Sequence, residues 1–112
     1  MPSIRVLTLK DDAEVVNLDH LTSRRLVRRA HGASVSVNVS TLDEGYDDRA
    51  VRYPEQDEIF YILSGEAEIE FDGVNRRLGP GMAVVVPRNC TYAYRVIKGP
   101  NEMVVVFSPA RS

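Results

Sequence analysis

Groups able to do chemistry are thinly spread along this chain of 112 residues. The histidines are His20 and His31, and both stand in its first third. A lone histidine near an apolar strand is more often a packed or hydrogen-bonded side chain than a ligand. Cys90 is the one cysteine, so neither an internal disulfide nor a paired-cysteine metal site can form. A nucleophilic thiol needs a base beside it, and no histidine is close to Cys90 in sequence. Cys90 therefore reads as buried or half-exposed filler. Arg24, Arg25, Arg28 and Arg29 form a basic cluster with Asp11, Asp12 and Glu14 upstream. Its first reading is a solvated edge of ion pairs. A phosphate site and a patch that greets an anionic substrate stand behind it.

The bulk properties narrow the function classes. A net charge of −2 argues against a nucleic-acid partner, which calls for a basic excess. The longest apolar runs, Met82 to Val86 and Met103 to Phe107, are too short to cross a bilayer. The start, Met-Pro-Ser-Ile-Arg, has no basic region followed by an apolar core, so a reduced, cytoplasmic location is expected. Hydrophobic residues make up 44% and charged residues 27%, which suits one globular domain over 1–112. Its core is small, so association into a homodimer would help.

The elements that must position any site are strands. Ala33, Val35, Val37 and Val39 alternate with Ser34, Ser36, Asn38 and Ser40, the period-two mark of a half-buried strand. Ile4 to Leu9 alternates weakly. Ile59 to Leu63, Ala67 to Phe71, Ala83 to Val86, Tyr92 to Ile97 and Glu102 to Phe107 are further strand segments. Asp72-Gly73 closes an expected hairpin, since glycine accepts the positive φ of such turns. Glycine and proline punctuation falls between them, the pattern of a sandwich or barrel. Asp11 to Arg29 is the least defined stretch, with room for a short helix or irregular cover. The division expected is an N-terminal strand and cover over 1–30 and a barrel over 33–108.

From Gly45 onward the spacing resembles the cupin superfamily. Gly45, Val51, Tyr53, Glu58 and Gly65 stand at the intervals of the first cupin motif, and Gly81, Pro87, Asn89, Tyr92 and Val96 at those of the second. The resemblance implies an all-β, antiparallel double-sheet jelly-roll barrel, usually a homodimer. It also implies that Val51, Tyr53 and Tyr92 occupy the places where metal-binding cupins carry histidines, with Glu58 kept. Valine cannot ligate, and phenol is a poor ligand unless an ion lowers its pKa from about 10. No metal or other cofactor is therefore expected.

On this mapping Tyr53, Glu58 and Tyr92 converge in the barrel as candidate catalytic residues. Phe60, Tyr94, Val51 and Arg52 are candidate substrate-binding residues, with Arg52 at the rim or in a surface ion pair. A partly desolvated carboxylate flanked by phenols suits proton transfer, as in an isomerase, epimerase or lyase. The same residues suit a pocket that binds a small molecule, of sugar or organic-acid size, without turning it over. A metal-dependent enzyme of dioxygenase or lyase type, with a divalent transition metal on Glu58 and His31 or His20, is the alternative. A non-enzymatic sensor or accessory subunit is a third reading.

Overall fold

Alternating polar and apolar residues commit most of the chain to strands, and the computed structural model describes residues 3–112. A helical turn, α1 (Leu9–Asp12), leads into β1 (Glu14–Leu18) and β2 (Leu21–Val27). After a 3-10 turn at Arg29–His31 come β3 (Ser36–Leu42), β4 (Asp47–Arg52) and β5 (Asp57–Phe71). The chain continues through β6 (Val74–Leu78), β7 (Ala83–Val86) and β8 (Thr91–Ser108). All pairings are antiparallel, in the order β1-β2-β3-β8-β5-β6, with β4 on β8 and β7 on β5. The expected all-β jelly-roll barrel is the fold observed.

Two long strands shape the barrel. The first half of β5 pairs with the second half of β8, from Asp57↔Ser108 to Ile62↔Met103. Register shifts between Ile62 and Ala67 mark a corner, after which Ala67↔Val96 resumes the ladder. The bend brings the two halves of the sheet face to face. Phe60 pairs across the ladder with Val105, yet its ring meets Tyr94 edge-on at 5.7 Å and stacks on Tyr92 at 6.4 Å. The core between the halves holds Phe60, Ile62, Ala67, Val96, Met103 and Phe107.

The N-terminal region differs from expectation. Ile4–Thr8 has no regular structure, and the weak alternation up to Leu9 ends in α1. The reason is local: Thr8 Oγ1 accepts the Asp11 amide while Asp12 accepts the Thr8 amide, a reciprocal cap that starts a helix. The undefined stretch Asp11 to Arg29 holds the β1–β2 hairpin, closed by Asp19-His20 with His20 at φ 61°. In β3 the alternation is as read, but the polar side faces inward. Ser36, Asn38 and Ser40 are buried, while Val37 and Val39 are only partly so.

Candidate active site in the barrel

Strand parity sets the floor of the site. In β5, Glu58, Phe60 and Ile62 share a face, and in β8 Tyr92, Tyr94 and Val96 share a face; all six are buried. The bend turns the two faces toward one another, so Tyr92 Oη donates to Glu58 Oε1 at 2.6 Å. Glu58 is 5% exposed. These groups open on a cavity of about 230 Å³ that is also lined by Tyr46, Val51, Tyr53 and Phe107. Ser23 from β2 and Asn38 and Ser40 from β3 add a polar wall. Val51 and Tyr53 arrive by way of β4, which pairs Val51 with Tyr92 and Arg52 with Thr91.

Burial dominates the electrostatics. Desolvation pushes the Glu58 carboxyl above its ordinary value, while the Tyr92 hydrogen bond and the Arg111 charge pull it partly back. Tyr92 is pushed up by burial and then by the Glu58 charge, so its phenol keeps its proton. Burial also raises Tyr53 and Tyr94, and it pushes Tyr46 up to about 12. The cavity therefore presents several neutral hydroxyls around one carboxylate. Tyr94 spends its hydroxyl on Asn101 Oδ1, whose amide in turn donates to the Ser64 carbonyl at 2.9 Å.

Sequence reasoning missed Arg111, which stands at the cavity mouth. Segment 109–112 folds back along the start of β3. Ala110 N donates to Ser34 O at 3.0 Å, Arg111 N to Ser36 Oγ at 3.1 Å, and Arg29 Nη2 to Ala110 O at 2.9 Å. These bonds set the Arg111 guanidinium over the Tyr53 ring at 4.8 Å and the Phe107 ring at 5.5 Å. Tyr53 in turn meets Phe107 edge-on at 4.7 Å. Arg25, from the basic cluster, also lines the cavity and sits 3.4 Å from Glu14.

Other candidates lie elsewhere. Arg52 points away from the cavity, and its Nε donates to Asn89 Oδ1 at 2.8 Å on the exposed surface. The β4 alternation that turns Val51 inward turns Arg52 outward. His20 Nδ1 lies 2.7 Å from Asp43 Oδ1 beside the β1–β2 turn. His31 Nδ1 accepts the Arg28 amide at 2.9 Å in the 3-10 turn. Neither histidine lines the cavity with Glu58. Around Glu58 the donors are phenols and one carboxylate oxygen already bonded to Tyr92, a set that does not fit an imidazole-ligated transition metal.

A family model described as a cupin domain matches residues 38–107. An uncharacterized protein of Streptomyces coelicolor is 30% identical over 79 residues, which cover 70% of this chain and 74% of that protein. Ectoine synthase from P. lautus is similar in structure, with a TM-score of 0.86 and 25% identity over 97% of this chain and 80% of that one. An RmlC-like cupin from Shewanella frigidimarina has a TM-score of 0.79 and 19% identity, covering 100% and 97% of the two chains.

Proposed function

The chain belongs to the cupin family, and from that premise we propose that its barrel binds a small polar metabolite and moves a proton on it through Glu58. The observation that carries the reading is the 2.6 Å hydrogen bond from Tyr92 to a buried Glu58 at the floor of the cavity. It engages one carboxylate oxygen and leaves the other for a ligand. Burial moves the acid toward neutrality, where a base shuttles protons best. Tyr92, held protonated, is the fixed donor that orients Glu58. Tyr53, at the cavity wall, offers a hydroxyl to the substrate.

In the reaction class that fits, Glu58 takes a proton from a carbon next to a carbonyl. The electron pair passes to the carbonyl oxygen as an enolate, which neighbouring O–H groups stabilise. Return of the proton gives isomerisation or epimerisation, and departure of a β-substituent gives elimination. The cavity size and the likeness to a small-molecule enzyme such as ectoine synthase support a ligand-handling interior. The donor set around Glu58 supports a reaction that needs no metal. Elemental analysis of untagged protein checks this, and a stoichiometric transition metal would overturn it.

The direct test follows deuterium uptake by NMR when the protein is incubated in heavy water with a panel of small oxo and hydroxy acids. Wild type is expected to label the carbon next to the carbonyl, and Glu58→Gln to slow labelling by about a hundredfold or more. Equal rates in both proteins would remove Glu58 from the chemistry. Binding without labelling would make the chain a sensor or accessory binding protein. We also propose that it works in a reduced cytoplasm as a homodimer, on the support of its single cysteine and an exposed apolar sheet face.

A further inference from the structure

Asn38 and Arg111 face the cavity with bonding capacity that the protein does not use. Asn38 is 6% exposed, and its Oδ1 has no hydrogen-bond partner. A buried carbonyl oxygen left without a donor is costly, and a ligand hydroxyl that reaches it from the cavity removes that cost. A hydroxyl both donates and accepts, so it pairs with this amide whichever way the amide is turned. Arg111 is held over two aromatic rings, and among the described residues its guanidinium forms no ion pair. A guanidinium fixed in place and unpaired is suited to grip a carboxylate with two parallel hydrogen bonds. Arg25 adds a second positive charge to the same lining. Arg25 already has Glu14 at 3.4 Å, whereas a neutral sugar would leave Arg111 without an ion-pair partner.

We infer that the cavity selects a small hydroxy carboxylate, with Arg111 taking the carboxylate and Asn38 the hydroxyl. The inference rests on the barrel interior being the ligand site, as proposed above, and adds which ligands it admits. Arg111 belongs to no strand and is delivered by the fold-back of segment 109–112. Charge selection is thus carried by the fold-back and hydroxyl selection by β3.

Three probes of nearly equal size separate the two contacts: 3-hydroxybutyrate, its uncharged counterpart 3-hydroxybutanamide, and butyrate, which lacks the hydroxyl. Affinities are read by calorimetric or NMR titration. Wild type is expected to bind 3-hydroxybutyrate about tenfold tighter than either counterpart. Arg111→Gln should erase the preference for acid over amide, and Arg111→Lys should keep part of it. Asn38→Leu should erase the preference for 3-hydroxybutyrate over butyrate. Each comparison is a ratio within one protein, so a folding defect, which weakens all probes alike, cannot imitate it. Equal binding of acid and amide by wild type overturns the inference, as does a preference that survives Arg111→Gln, or no binding of any probe. None of these touches the Glu58 labelling test. Labelling that ignores Glu58, beside an intact acid preference, would strike the proton-transfer reading alone.

Discussion

At the scale of single residues, Glu58 sets the pH behaviour. Burial raises its carboxyl above the ordinary 4.5, so the folded chain holds that proton more tightly than the unfolded chain does. Between the ordinary value and the raised one, stability must fall as pH rises. Glu58→Gln removes the buried charge at nearly constant shape. The variant is expected to melt above wild type at pH 7, with the gap closing as pH falls from the raised value to 4.5 and constant below it, which thermal unfolding across pH will show. Tyr92→Phe acts in the opposite sense. It takes the 2.6 Å donor from a buried carboxylate and should cost about 1–3 kcal/mol at pH 7 by denaturant unfolding. Much of this site was legible. Val51, Tyr53, Glu58, Phe60, Tyr92 and Tyr94 all line the cavity, because motif spacing and strand parity together decide which way a side chain points. Asn38 was not legible as a cavity residue, since alternation separates the two faces of a strand without saying which turns inward. Arg111 was hidden because hydrogen bonds to distant Ser34 and Ser36 place it, and they leave no local pattern.

At the scale of elements, the bend shared by β5 and β8 decides whether Glu58 and Tyr92 meet. Gly65 sits in that corner at φ +79°. A Cβ there would lie 2.6 Å from the backbone oxygens of Lys98 and Pro100. Nothing rigid can yield at that distance, and the left-handed backbone already disfavours a side chain. Gly65→Ala is therefore expected to destabilise by about 2 kcal/mol or more and to weaken ligand binding with it, measured by denaturant unfolding and titration. Ser64 and Asn101 tie the same corner, through Ser64 Oγ to Pro100 O at 3.0 Å and Asn101 to Tyr94. The strand segments on either side of the corner were readable from their alternation, while their fusion into two long bent strands was not. A bend with shifted register looks in sequence like two strands and a turn. The β1–β2 hairpin escaped because Asp19-His20 closes it in place of a glycine turn, and because β2 is rich in arginine. In β4 the residues of Asp47–Arg52 are mostly exposed, so no apolar rhythm announces them.

At the scale of the whole molecule, the outer face of β5 and β7 is apolar. Ile59, Tyr61, Leu63 and Val85 are exposed there, with Ile59 paired to Val85 across the ladder. Val104 and Val106 extend the patch from β8 through their pairing with Tyr61 and Ile59. A contiguous apolar patch on a chain this small favours a partner, and a second copy presents the same patch by two-fold symmetry. Val85 is 68% exposed, so Val85→Glu leaves the core untouched. Sedimentation at matched concentration is expected to give a dimer for wild type and a monomer for Val85→Glu. A monomeric wild type would discard the symmetric interface.

The proposed chemistry needs the Glu58 carboxyl inside the barrel, held there by the Tyr92 phenol. Carbon-13 NMR titration of the Glu58 side-chain carboxyl follows that group without need of a substrate. It should titrate above the ordinary 4.5, and move higher still in Tyr92→Phe once the donor is gone. A titration at or below the ordinary value, unmoved by the loss of the Tyr92 hydroxyl, would place Glu58 in water and contradict the site.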